Sequence, residues 1–230
     1  MSVNAEQRRA PPDAAAQTDA QSGAQSDART GARTGAGVGR PAIVLARHGR
    51  PALDRSPLLD WRGYRDWWGA YDAGGLAPGE KPPEALLSVA RDAHAVLASP
   101  LPRSLETAHA VAGGRDVVVD PVFVEAALPP PPIPGLKLRP GQWGVLSRIT
   151  WWLGLSGGLE SRVEAERRAE AAVGRVLEDL LVEPAANRVV LVCAHGWFNR
   201  MMRPVLRARG WRCVIDGRDG YWSFRRYELR

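Results

Sequence analysis

The chain has 230 residues, of which 45% are hydrophobic and 24% charged, enough for one α/β domain with a real core. Its formal net charge of +6 rests on arginine spread along the sequence, with Lys81 and Lys137 as the lysines and no long basic run. That argues against a nucleic-acid partner and for a small anionic one.

Other classes drop out on local grounds. Cys193 and Cys213 lack metal-ligand spacing, and Cys193 sits in an apolar run as a small buried residue would. No stretch reaches the length of a membrane span, and the N-terminus has no apolar h-region. The expectation is a soluble, cytoplasmic, single-domain protein.

In chain order, residues 1–40 are Ala, Gly, Gln, Ser, Thr, Asp and Arg with short imperfect repeats, too poor in large apolar groups to offset the entropy of ordering. A disordered tail is expected there, and a folded domain over 41–230. Pro41–Ala46 is a short continuous apolar run, predicted as a central strand buried on both faces. Helical periodicity follows over Pro83–Ala95, entered through prolines. Val96–Ser99 reads as a strand, Ser104–Ala112 as a helix stopped by Gly113-Gly114, and Val117–Val119 as a strand. A proline cluster at Pro129–Pro134 opens an irregular, cap-like insertion spanning about 126–158. Glu160–Leu181 is a long amphipathic helix, and Arg188–Ala194 a second strongly apolar strand. A helix to about Arg209 follows, then strand-like runs near Cys213–Ile215 and Tyr221–Tyr227. Strands alternating with helices predict an α/β sandwich with a mostly parallel sheet.

Both apolar strands end in the same dipeptide. Ile43–Ala46 leads into Arg47-His48-Gly49, and Val189–Ala194 into His195-Gly196. Ligands of open α/β sheets gather at the carboxyl ends of strands, so both histidines are aimed at one crevice. Between them, Ser99-Pro-Leu-Pro-Arg103-Ser-Leu-Glu-Thr107-Ala108 is a strand end entering a helix. There an exposed Arg103 would join the helix N-terminus in favouring an anion. Arg47 and Arg103 offer two guanidinium forks for phosphate oxygens. Two histidines and a carboxylate also match a non-haem iron triad, but converging arginines would repel a divalent cation, so no metal is expected.

These four pieces, L-A-R47-H48-G49, S99-P-L-P-R103-S-L-E-T107-A108, F-V-E125-A-A-L-P and V-C-A-H195-G196, resemble the histidine phosphatase superfamily, the phosphoglycerate mutase-like or RHG group, over roughly residues 41–228. The resemblance implies a three-layer α/β/α sandwich of the phosphoglycerate mutase type and a metal-independent phosphomonoesterase without cofactor. It implies His48 as a nucleophile that becomes phosphohistidine, and Arg47, Arg103 and His195 as a phosphate pocket. Glu125 is implied as acid for the leaving oxygen and then base for water, with Glu106 and Asp120 as rivals. A small phosphorylated substrate is the implied partner. A phosphomutase of the same superfamily, or a catalytically idle module that binds a phosphorylated ligand or a protein, are the alternative readings.

The chain departs from the family pattern at Arg50-Pro51, where many members carry Glu or Gln followed by Ser or Thr. Arg50 either meets a second negative group on the substrate or pairs with an acidic neighbour. Trp61, Trp67, Trp68, Trp143, Trp151 and Trp152 fall in two segments expected to border the site. Trp143 among them is a candidate substrate contact; ordinary packing of the cap, or a touch on a membrane surface, are the other readings. His94 and His109 are expected to serve the surface or packing.

Overall fold

The structure, a computed structural model, describes residues 40–182 and 188–229, so the tail expected over 1–40 lies, but for Arg40, outside the described residues. In chain order the elements are β1 (Ala42–Arg47), α1 (Trp61–Ala73), α2 (Glu84–Asp92), β2 (Ala95–Ala98), α3 (Pro102–Ala112), β3 (Val118–Val119), a 3₁₀ turn (Pro121–Phe123), α4 (Pro140–Trp152), α5 (Arg162–Leu181), β4 (Val189–Ala194), α6 (Gly196–Ala208), β5 (Trp211–Asp216) and β6 (Phe224–Leu229).

The six strands form one sheet in the order β3-β2-β4-β1-β6-β5. β1 runs parallel to β4, β4 to β2 and β2 to β3, while β6 and β5 close the other edge antiparallel. The sheet is mostly parallel, with a helical layer on each face. The continuous apolar runs of β1 and β4 are what burial on both faces demands. Ile43, Leu45, Val190, Val192 and Ala194 point to the side packed by α5 and α6. Ala42, Val44, Ala46, Val189, Leu191 and Cys193 point to the side packed by α2 and α3.

Helix ends follow local chemistry. Asp60 caps α1 by accepting from the Gly63 N–H at 2.8 Å. Ser161 and Glu164 form a reciprocal capping box at the start of α5. Gly113, at φ 61°, ends α3 in the left-handed region that glycine adopts freely.

Two expectations need correction. The helix predicted over Pro83–Ala95 stops at Asp92, because the chain turns at Ala93 to give its last residues to β2. The insertion expected to be irregular contains the thirteen-residue α4, entered through Pro140 at its first position. Trp143, Ser147 and Trp151 on one face of α4 are buried, while Val145, Ile149 and Trp152 on the other are exposed. A helix apolar on both faces carries no amphipathic signature, so its period is not legible. α1 likewise has no counterpart in the sequence reading.

Candidate active site

The parallel register of β1 and β4 ends at the pair Arg47–Ala194, so the two strands deliver His48 and His195 side by side. The His48 N–H donates to the Ala194 carbonyl at 3.0 Å. The two imidazoles lie with ring centroids 5.3 Å apart, and both residues are buried, at 2% and 0% exposure. His48 Nδ1 is 2.7 Å from the Gly49 carbonyl, and a carbonyl only accepts, so Nδ1 carries the proton and Nε2 keeps its lone pair. His195 Nε2 meets Ser99 Oγ at 2.8 Å.

The bend that carries His48 away from the sheet is pinned from three sides. Gly49 N–H donates to Thr107 Oγ1 at 2.9 Å, and Asn199 Nδ2 donates to the Ala46 carbonyl at 3.0 Å. The indole of Trp222 lies where a Cβ on Gly49 would project, so the close approach excludes any side chain there. Trp222 sits at φ 59°, a conformation costing about 1–3 kcal/mol for a non-glycine residue, with its indole Nε1–H donating to Glu80 at 2.7 Å.

Both arginines of the motif set are present at this centre. Arg47 donates from Nη1 to the Asp219 carbonyl at 2.5 Å, and its guanidinium lies 4.4 Å over the ring of Tyr221. Arg103 is fully buried rather than exposed as expected: α3 enters beneath the α1 end, and the guanidinium donates to the Tyr71 carbonyl and to Asp72 Oδ1, each at 2.9 Å. It also stacks 4.3 Å over the Tyr71 ring. Arg47 Nε, Arg103 Nε and His195 Nδ1 are buried and find no hydrogen-bond partner among the described residues. Buried polar groups rarely go unpartnered, so the two guanidinium N–H groups beside one imidazole mark a place built for an acceptor.

Burial, followed by the charges of Arg103 and then Arg47, holds His48 well below the ordinary histidine pKa of 6.5. Burial, then His48, Arg103 and Arg47, does the same to His195. Both imidazoles are therefore neutral at neutral pH. An anion in their midst would oppose the arginine contribution and draw a proton back.

Glu125 stands at the start of α6. Its carboxylate accepts from the backbone N–H groups of Phe198 at 2.7 Å, Ala126 at 3.1 Å and Trp197 at 3.2 Å. A carboxylate here satisfies helix N–H groups that have no partner within the helix. Its rivals lie elsewhere. Glu106 accepts from the Leu76 N–H at 2.7 Å, and Asp120 caps the 3₁₀ turn by accepting from Val122 N–H at 2.9 Å.

Glu125 lines two cavities. One, of about 490 Å³, is basic and also lined by Arg47, Arg148, Gly196 and Arg200. The other, of about 610 Å³, lies against Trp61, Trp68, Leu128 and Pro129.

Trp143, expected as a substrate contact, is fully buried instead, with its Nε1–H donating to the Leu59 carbonyl at 2.7 Å and its ring stacked on Tyr64 at 5.8 Å. It ties α4 to α1 and lines neither of these two cavities. Arg50 is exposed and pairs with Glu80 at 3.0 Å, the second of its two expected fates. Trp151 is also fully buried, whereas Trp61 and Trp68 line the larger cavity. His109 is exposed, and His94 Nε2 lies 3.1 Å from the Asp179 carbonyl, both away from the centre.

The sequence reading missed Tyr221, whose ring centroid is 5.8 Å from that of His48, and Arg55, which donates to the Tyr221 hydroxyl at 2.6 Å. Neither stands in a motif. It also missed Asp219, which gathers the side chains of Arg200, Arg203 and Arg225, and Arg148, which stacks 5.4 Å from the Trp197 centroid. Ser99 stands within a motif already noted, and its position one residue past β2 was the signal that could have marked it. Among the described residues, no group of three or more His, Cys, Asp or Glu converges as a metal site, and no helix is long and apolar enough to cross a membrane.

A mostly parallel α/β sandwich, with two histidines and two arginines at the carboxyl ends of its central strands, defines a class of phosphoryl-handling enzyme. A family model of the histidine phosphatase superfamily, branch 1, matches residues 43–211, and the chain belongs to that superfamily. Among solved structures, mycobacterial glucosyl-3-phosphoglycerate phosphatase complexed with VO3 is 18% identical with a TM-score of 0.53, covering 83% of this chain and 96% of that one. The native form of the mycobacterial enzyme is 19% identical with a TM-score of 0.50, covering 72% and 79%. At these identities the likeness speaks for the fold. No curated protein matches the sequence.

Proposed function

We propose that the chain hydrolyses a phosphomonoester in two steps through phospho-His48, without a metal ion. The observation that carries this reading is His48 Nε2, left as a lone pair by the Nδ1–Gly49 hydrogen bond, beside the buried Arg47 and Arg103 Nε–H groups and His195 Nδ1, which lack a protein partner. In the first step the Nε2 lone pair attacks phosphorus and the ester P–O bond breaks. Glu125 gives its proton to the departing alkoxide. In the second, water attacks the phosphoryl group, Glu125 takes its proton, the P–N bond breaks and phosphate leaves. Arg47, Arg103 and His195 donate to the phosphoryl oxygens, where fixed donors in a dry site act most strongly on the spread transition-state charge. His195 is positioned for this by Ser99, and Glu125 by the α6 N–H groups. Residues 41–230 form the phosphatase domain, with the cap at 126–158.

The test is phosphate release from p-nitrophenyl phosphate and a panel of phosphomonoesters by wild type and His48→Ala. Release by the wild type alone, with an acid-labile phosphorylated protein trapped on rapid quenching, is the expected result. Turnover at the wild-type rate by His48→Ala would sink the phosphohistidine reading. Chelator is expected to leave the rate unchanged; strong inhibition would bring a metal back into the reaction.

A further inference from the structure

We infer that the alcohol carried by the substrate is apolar, aromatic or aliphatic, and fills the cavity between α1 and the Ala126–Pro132 segment. This rests on the reading of Glu125 as the group that carries the proton of the leaving oxygen.

A group that protonates the bridging oxygen must stand between the phosphoryl group and the alcohol. Glu125 lines both cavities, so one belongs to each half of the substrate. The basic one includes Arg47 and Gly196, the residues beside His48 and His195, together with Arg148 and Arg200. That is the phosphoryl side. The alcohol is left with the other, whose walls are Trp61, Trp68, Leu128, Pro129, Pro130 and Leu159. At about 610 Å³ it has the size of a small-molecule site. It also reaches the catalytic centre directly, because Asp72 in its lining is the carboxylate that holds Arg103 at 2.9 Å.

What the cavity lacks decides the chemistry of its occupant. Its charged lining residues are Arg65, Asp72 and Glu125. Arg65 is turned to Asp66 at 3.4 Å, Asp72 to Arg103, and Glu125 to the start of α6. A sugar or glycerate would give up its water here and find few donors or acceptors in return, a loss of about 1–3 kcal/mol for each stranded polar group. Indole faces and proline rings instead reward apolar area.

A separate observation points the same way. The stretch that supplies Gly157 and Leu159 to the wall also holds Leu153 and Leu155 in solvent, at 76% and 60% exposure, and Leu159 itself is 54% exposed. Adjoining exposed apolar side chains next to a cavity mark a ligand-binding surface, and suit an alcohol longer than the cavity itself.

The experiment measures kcat/KM of the wild type for n-alkyl phosphates from methyl to octyl and for 1-naphthyl phosphate, against glycerol phosphate and 3-phosphoglycerate. In parallel, the affinity of the wild type for n-alkylphosphonates, which cannot be hydrolysed, is measured by calorimetry. Each added methylene is expected to raise kcat/KM and affinity about fourfold until the cavity is full. Ala127→Trp, at a half-buried wall position, is expected to lower the octyl-to-methyl ratio at least about tenfold in both measurements. A flat series, or a preference for the glycerate or glycerol ester, overturns the inference. If no ester is turned over but phosphonate affinity still climbs with chain length and falls in Ala127→Trp, the apolar site stands and the hydrolytic reading fails. Flat phosphonate affinity overturns the site whatever the turnover.

Discussion

The strand ends and the cap solve opposite problems. Around the tips of β1 and β4 polar groups are buried and held by directional bonds, His48 Nδ1 by the Gly49 carbonyl, His195 Nε2 by Ser99, Gly49 by Thr107 and Arg103 by Asp72. Arg47 Nε, Arg103 Nε and His195 Nδ1 have no partner among the described residues. In the cap the cavity wall is mostly apolar, and α4 leaves Val145, Ile149 and Trp152 in solvent. The first region is specified by directional bonds, so few changes are tolerated there. The second is specified by volume and area, which many sequences satisfy. On the proposed reading the difference separates chemistry from selectivity: the fixed donors would treat any phosphoryl group alike, while the apolar cavity beside the cap would meet the rest of the substrate.

Mutations at the two regions break this contrast in different measurements. The largest effect is expected from His48→Ala, a loss of kcat of about 10⁴-fold or more with the folded state retained, read by steady-state kinetics beside circular dichroism. Next, Trp143→Ala is expected to cost about 3–5 kcal/mol of stability in a denaturant titration, since it empties the buried joint between α4 and α1. An unchanged midpoint would show that the cap folds independently of that joint. Ser99→Ala is expected to lower kcat about tenfold while costing about 1 kcal/mol or less of stability, by freeing the His195 ring. Loss of both in equal measure would make Ser99 a packing residue only.

A gentler probe is pH. His48 and His195 are held below their ordinary 6.5, so below that pH the unfolded chain binds more protons than the folded one. Their contribution to stability is therefore full above pH 6.5 and is lost as the pH falls toward the lower folded-state values. The acid limb of kcat/KM for the free enzyme is expected below pH 6.5 for the same reason, and a limb above it would contradict the neutral imidazole. Smallest of all, Arg50→Ala is expected to change stability by less than about 0.5 kcal/mol, because its pair with Glu80 is exposed on the arginine side.

The sequence by itself determined the sheet and the identity of the central residues. Continuous apolar runs dictate strands buried on both faces, and a His-Gly pair at the end of each puts the histidines at the sheet's carboxyl edge, because these constraints are local. The same locality explains Arg47, Arg103 and Ser99, which sit within a few residues of a strand end. Only the tertiary structure decided the burial of Arg103 against Asp72, the retreat of Trp143 into the α1–α4 joint, and the arrival of Tyr221, Asp219 and Arg55 at the centre. These depend on contacts between residues far apart in the chain, such as Arg55 with Tyr221 and Arg103 with Asp72. α4 stayed illegible because both its faces are apolar. A period shows in a sequence only where one face meets the core and the other meets water.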